Sequence, residues 1–344
     1  MKSIALTGIA KMGEIQEAEP KIQKKTDVIV KVTHVGVCGS DMHLFEEGHI
    51  GDNWVDYPFV VGHEGVGIVD QVGRDVKHVK PGDRIAIEPA QSCDKCDQCL
   101  AGRPHTCRNL EFLGSPGQLA GLLTEKIAIP GHCCFPLPDN LSNERASLAE
   151  PLSISIWAVD LAGIKPDSNI AILGSGPIGM CVLLYARHQG VKNIYVTDKI
   201  DNRLEKANKA GASWTGNPDK EDIVNNIMKK EPLGLDCIFD CCAKQEAMDQ
   251  AMELLKPGGK IVIVGIPEFD NWQLPTDKIR RKEICIQNVR RQNDRLQLAI
   301  DLIADGKVDT DQLVTHRFSF PQTNEAFSLV NDYRDGVMKA LIEF

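Results

Sequence analysis

Residues 169–198, NIAILGSGPIGMCVLLYARHQGVKNIYVTD, admit few folds. An apolar run of strand length, 169–174, leads into Gly174-Ser175-Gly176-Pro177-Ile178-Gly179. A helical stretch follows over 177–190, stopped by Gly190, and a second apolar strand over 193–198 closes on Asp198. The glycines fit G-x-G-x-x-G where a strand gives way to a helix, the place at which free amide N–H groups and the helix dipole receive a pyrophosphate. In that setting Gly174 permits a tight turn, Gly176 lets the phosphates reach the backbone, and Gly179 lets helix and strand pack closely. Asp198 stands nineteen residues after Gly179 and is predicted to accept hydrogen bonds from the adenosine ribose. Its charge repels a 2′-phosphate, so NAD is expected over NADP, with Lys199 and Arg203 as the nearby cations that could receive a phosphate. The plain alternative is an ordinary Gly-rich strand-to-helix turn.

The alternation continues. A helix is expected over 202–211, a helix with its terminal turn over 246–259, and strands over 235–242, 260–265 and 283–289, which together make a parallel, doubly wound α/β sheet. The charged stretch 219–231 reads as a solvated helix face. Before residue 150 the texture differs: short β-like runs at 27–39, 58–73 and 83–90, punctuated by Gly and Pro, predict a mostly-β domain. A helix over 153–164 enters the new unit, and a helix over 294–306 precedes a loop-rich tail expected to return to the first domain. The division is therefore 1–153, 154–289 and 290–344.

Four cysteines, Cys93, Cys96, Cys99 and Cys107, fall within CDKCDQCLAGRPHTC, in a lobe at about 90–110. The polar residues among them argue against burial. Tetrahedral zinc accepts four thiolates and closes such a loop, and with no open position it is structural. Disulfides are the alternative, disfavoured by twelve cysteines in a chain whose N-terminus, MKSIALTGIAKMGEI, has too short an apolar run for a signal peptide. A reducing, cytoplasmic setting is expected. No apolar stretch reaches a membrane-spanning length. The net charge of −9 argues against nucleic acid or an acidic membrane as a partner.

Cys38, His63, Glu64 and Glu150 are a thiol, an imidazole and two carboxylates, a donor mixture suited to catalytic zinc. Spacing alone does not assemble them, since His63 and Cys38 could each be core residues. Gly62-His63-Glu64-x2-Gly67-x5-Gly73-x2-Val76 and Cys38-Gly39-x-Asp41-x-His43, with the four-cysteine lobe and the glycine-rich turn, resemble the zinc-dependent medium-chain alcohol dehydrogenases from end to end. Gly48-His49-Ile50-Gly51-Asp52, Glu150-Pro151-Leu152 and Val289-Arg290-x-x-Asn293 are most similar to the sorbitol (polyol, L-iditol) dehydrogenase branch.

The resemblance implies a Rossmann domain joined to a GroES-like catalytic domain, two zinc ions per subunit, NAD, and a homodimer or homotetramer. It implies that Cys38, His63 and Glu64 are zinc ligands, with Glu150 contacting the zinc-bound water or entering the shell. Ser40 and His43 match a proton relay. Ile178, Asp198, Arg203, Val264, Gly265, Ile266, Asn288, Val289 and Arg290 match cofactor contacts, and Pro177 opens the cofactor helix. Glu150 and Arg290 match substrate contacts. The implied reaction is reversible oxidation of a secondary hydroxyl of a polyol to a ketone. Two positions depart from the branch: Leu44 replaces a tyrosine after the relay histidine, and Arg291 replaces one after Arg290. A pocket with Leu44 loses a hydroxyl and one with Arg291 gains a cation, which favours a sugar acid, sugar phosphate or cyclitol. Alternatively Arg291 faces solvent or a subunit interface. A threonine-type amino-alcohol dehydrogenase shares the ligands, and a non-catalytic protein on the same scaffold is the remaining alternative. The run 260–269 is the expected pairing edge of the oligomer.

Overall fold

Six parallel strands carry the glycine-rich turn, in the order Trp214–Gly216, Asn193–Thr197, Asn169–Leu173, Leu235–Asp240, Leu255–Ile263, Cys285–Asn288. Numbered along the chain that order is 3-2-1-4-5-6, the doubly wound arrangement whose ligands bind beyond the carboxyl ends of the strands. Ile170, Ala171, Ile172 and Leu173 are all at most 1% exposed. A strand covered on both faces needs such an unbroken apolar run. The helices are one-sided: Ile223–Lys230 buries Ile223 and Ile227, and the Asp222 side chain caps it by accepting from the Asn225 amide. The charged stretch is thus amphipathic, with a buried face that its flanking lysines and glutamates conceal.

The computed structural model describes residues 1–344. They divide into two units, Met1–Glu150 with Leu296–Gly306 and Thr310–Phe344, and Pro151–Arg295 with Lys307–Asp309. The breaks fall at 150/151 and 295/296, against 153/154 and 289/290 expected. Residues 290–295 stay with the parallel sheet because Arg295 donates to Asp160 at 2.6 Å and lies over the Trp157 ring.

Two expectations need correction. Within 246–259 the helix ends at Leu254, and in place of the expected terminal turn the chain becomes a strand at Leu255. Pro257 cannot continue a helix, and Gly258 takes φ 75°. The run 260–269 is not an edge, because Leu255–Ile263 is paired on both sides, with Leu235–Asp240 and with Cys285–Asn288. The open edges are Trp214–Gly216 and Cys285–Asn288.

The other unit is built on a seven-stranded sheet. Its path runs Cys134–Pro136, Arg84–Ile87, Glu64–Val72, Asp27–Gly36, Lys339–Glu343, Val314–Ser319, with Lys126–Pro130 also paired to Asp27–Gly36. Lys339–Glu343 pairs antiparallel to Asp27–Gly36, so the C-terminal segment is a central part of this sheet. Val28, Val30, Val32, Val61, Ile85, Ile87 and Phe327 form its core. The expected strand 58–73 starts only at Glu64. Pro58 has no N–H to donate and Gly62 bends the chain at φ 95°. No helix is long and apolar enough to cross a membrane.

Candidate metal and dinucleotide sites

The four-cysteine lobe brings its sulfurs together within 4.8 Å of one another. Cys96 lies 3.5 Å from Cys99 and 3.8 Å from Cys107, and all four thiols are free. Disulfide sulfurs sit about 2.05 Å apart. Tetrahedral zinc with 2.3 Å bonds has an S···S edge of about 3.8 Å, so the cage fits a metal and not a crosslink. The Cys93 and Asn109 amides both donate to Cys107 Sγ at 3.3 Å, the bonding a thiolate accepts. The thiols cannot ionise alike without a cation. Backbone N–H groups of Arg108 and Cys99 pull Cys96 down to about 6, while burial and the neighbouring thiols push Cys99 up to about 12.

Cys38, His63 and Glu64 form the second group, again within 4.8 Å of one another. Cys38 ends the loop after Asp27–Gly36 and caps the helix Gly39–Glu46, while Glu64 begins the neighbouring strand, opposite Gly36 in register. Adjacent strands therefore deliver the donors side by side. Asp41, 1% exposed, accepts from the Cys38 amide at 3.0 Å, and its other oxygen faces His63 Nδ1 at 3.6 Å. A carboxylate behind an imidazole orients the ring and fixes its tautomer. Burial alone lowers the His63 pKa, but the Cys38 thiolate and the Asp41 carboxylate outweigh it and raise it well above the ordinary value. Thiolate, imidazole and carboxylate at this separation fit zinc.

Ser40 donates to Cys38 Sγ at 3.3 Å. His43 follows three residues later on the same short helix and is partly exposed. Glu150 is buried at 8% exposure but stands outside the Cys38–His63–Glu64 group. Leu44 is 1% exposed and belongs to the hydrophobic core, so the expectation that it lines a substrate pocket is corrected. Asp41 is a residue the sequence reading passed over, although its place in Cys38-Gly39-x-Asp41 was visible.

In the parallel-sheet unit the glycines have separate jobs. Gly174 takes φ 97°, which a side chain resists. A Cβ on Gly179 would stand 1.9 Å from the Gly174 carbonyl oxygen. At Gly176 a Cβ would meet only Arg203 Nη1, at 3.6 Å, so the approach to its backbone is open and lies beside a cation. Pro177 starts the helix Pro177–His188, and Ile178 is partly exposed in its first turn. Asp198 accepts from the Ser175 amide at 2.7 Å and from the Ile200 amide at 2.9 Å. It thereby ties the glycine turn to the end of the second strand, and each oxygen keeps a lone pair for a hydroxyl.

Val264, Gly265 and Ile266 follow the carboxyl end of one strand, and Asn288, Val289 and Arg290 mark that of the next. Ile266 is 45% exposed. Arg291 is partly buried, with its backbone at φ 56°. Arg290 is exposed at the surface.

Two family models match the chain: the alcohol dehydrogenase GroES-like domain over 24–139 and the zinc-binding dehydrogenase domain over 177–305. Among curated relatives, L-idonate 5-dehydrogenase of Vitis vinifera is 37% identical, covering 88% of this chain and 84% of that protein. Sorbitol dehydrogenase of Bacillus subtilis (strain 168) is 35% identical, covering 92% and 90%. Among solved structures, an alcohol dehydrogenase of Escherichia coli CFT073 complexed with NADH superposes with TM-score 0.92 at 28% identity, covering 100% of this chain and 99% of that one.

Proposed function

The chain belongs to the zinc-binding alcohol dehydrogenase family, and from that premise we propose that it oxidises a secondary hydroxyl of a polyol or sugar acid to a ketone with NAD as acceptor. The observation that carries this reading is the convergence of Cys38, His63 and Glu64 within 4.8 Å. Relatives named for L-idonate and sorbitol support a polyhydroxylated substrate. Arg290 and Arg291, beyond the carboxyl end of the last parallel strand, support one that carries an anionic group.

Cys38 and His63 would hold the catalytic zinc, with the Glu64 and Glu150 carboxylates flanking it, and Cys93, Cys96, Cys99 and Cys107 would hold the structural one. When bound, the catalytic ion supplies Lewis-acid polarisation of a hydroxyl group. Asp41 keeps the His63 ring in one orientation by facing Nδ1. In this reading Ser40 Oγ accepts the hydroxyl proton as it releases its own toward the partly exposed His43 ring, which passes a proton to water, a task suited to an imidazole. Gly174, Gly176 and Gly179 receive the pyrophosphate, and Asp198 the adenosine ribose, which favours NAD. Val264–Ile266 and Asn288–Arg290 would flank the nicotinamide. Twelve thiols, all of them free, support a reducing cytoplasm. The open edge Cys285–Asn288 supports a homo-oligomer, dimer or tetramer, formed by strand pairing.

A panel of neutral polyols, cyclitols and sugar acids, run with NAD and with NADP, tests the reading. NADH formation is expected with at least one polyhydroxylated substrate. Cys38→Ser should abolish it and leave one zinc of two. Full turnover by metal-stripped protein would end the proposal.

A further inference from the structure

Residues 264–275 join the strand Leu255–Ile263 to the helix Thr276–Lys282 without regular structure. A long irregular loop inside a compact domain is usually functional. This one begins with Val264, Gly265 and Ile266, the segment expected beside the nicotinamide. Its anchors come from one short stretch, 240–245, at the end of the neighbouring strand. The Val264 and Gly265 amides both donate to the Asp240 carbonyl, at 2.9 and 3.0 Å. A Cβ on Gly265 would stand 2.9 Å from the Ala243 nitrogen, so the two segments meet backbone to backbone. Farther along, Lys244 pairs with Glu268, and Gln245 reaches Gln273.

Those two outer anchors differ in kind. Lys244 and Glu268 are 52% and 44% exposed, and an ion pair so open to water holds little and is screened by salt. The Gln245 carboxamide instead makes two bonds to one stretch of backbone. Its Nε2 donates to the Gln273 carbonyl at 2.8 Å, and its Oε1 accepts from the Gln273 amide at 3.0 Å. Nε2 also donates to Asp249 Oδ1 at 2.8 Å, one helical turn on, which decides which end of the carboxamide carries the donors. Gln245 opens the helix Gln245–Leu254, so the clasp stands on a rigid element. Next to it Trp272 and Leu274 pack against the core of the parallel sheet, and Phe269 meets Trp272 edge-on at 4.6 Å. The loop is thus fixed at both ends while Ile266 stays 45% exposed.

We propose that Gln245 is a positioning residue for the cofactor: by clasping Gln273 it holds the loop so that Ile266 bears on the nicotinamide end of the dinucleotide. The proposal rests on the cofactor reading above. A loop ordered beforehand loses little conformational freedom when the ligand arrives, so the clasp acts on affinity and residence time. It acts only at the nicotinamide end, because the glycine turn and Asp198 lie on other strands and make no use of this loop.

The test uses the full zinc-loaded chain with two ligands, NADH and ADP-ribose, which lacks the nicotinamide ring. Calorimetry gives both affinities, and stopped-flow fluorescence gives the rate of NADH release. Gln245→Ala should weaken NADH about tenfold, through faster release, and leave ADP-ribose within about twofold. Ile266→Ala should cost NADH about as much, and Gln245→Ala/Ile266→Ala should be little worse than either change alone, since both remove one contact. Lys244→Gln should change NADH affinity by no more than about twofold. Equal weakening of both ligands in Gln245→Ala would mean a general loss of structure, and unchanged NADH affinity would mean an idle clasp; either overturns the proposal. Losses that multiply in the double variant, or a larger loss in Lys244→Gln than in Gln245→Ala, would overturn it too. If Gln245→Ala does not fold, Gln245→Asn, whose side chain is one methylene too short to reach Gln273, should show the same split between the ligands. Wild-type protein that binds neither ligand would overturn the cofactor reading itself, an outcome distinct from a change confined to the variants.

Discussion

Asp240 ends a central strand of the parallel sheet with no exposed surface, and its two carboxylate oxygens are treated unequally. Oδ1 accepts from the amides of Ala243 at 2.9 Å and Cys242 at 3.1 Å, while Oδ2 is buried without a hydrogen-bond partner. Burial pushes its pKa above the ordinary 3.8, against the downward pull of those amides. A raised folded-state pKa contributes stability below the unfolded value and loses it as pH rises through the folded one. Wild-type protein should therefore lose thermal stability relative to Asp240→Asn as pH climbs from 3.8, by about 1.4 kcal/mol for each pKa unit of elevation. Melting curves of the two proteins across that interval check it, and parallel pH dependences would refute it. Nothing local marks Asp240, since the run FDCC reads simply as the end of a strand. Gly179 is the opposite case: its spacing from Gly174 and Gly176 already implies the close packing seen in the 1.9 Å approach.

The four-cysteine lobe has short helices at Asp97–Leu100 and Pro104–Thr106, and none of the residues of the first is buried. Apolar packing contributes little to closing it, and a metal held by the four thiolates would supply the closure. Arg108 adds a paired contact to Asp97, Nη2 to Oδ2 at 2.8 Å, on the exposed surface. Cys99→Ser should lose one zinc of two and lower the melting temperature, by about 1–2 °C for each kcal/mol lost at this chain length. Metal analysis with calorimetry would show it, and an unchanged melting curve at one zinc would count against a structural role. The lobe was legible because all four donors lie within 15 residues, and local spacing carries the tetrahedral constraint. The strand start at 255 was not legible, because Ala, Met, Glu and Leu favour a helix up to the point where Pro257 and Gly258 suggest only a turn.

The two units divide the chemistry. Every expected metal donor, from Cys38 to Glu150, falls in the unit that ends with Phe344, and every expected dinucleotide contact, from Gly174 to Arg290, falls in the other. NADH binding should therefore survive metal removal, with affinity within about threefold of the zinc-loaded protein, while turnover is lost. Fluorescence titration of chelator-treated protein measures it. Loss of NADH binding with the metal would mean that the parallel-sheet unit cannot hold the cofactor without the ion.

By itself the amino-acid order determined the parallel sheet, the glycine turn and the zinc lobe, because each depends on neighbours along the chain: a period of apolar residues, a six-residue turn, four thiols in one loop. It could name Cys38, His63, Glu64 and Glu150 only through resemblance. Only the folded chain decided which of them meet. The seven-stranded sheet places Glu64 against Lys339, 275 residues away, and turns Asp41 toward His63, and it gathers Cys38, His63 and Glu64 within 4.8 Å of one another. Burial makes those long-range pairings decisive: a charge removed from water must find its partner wherever the fold puts one.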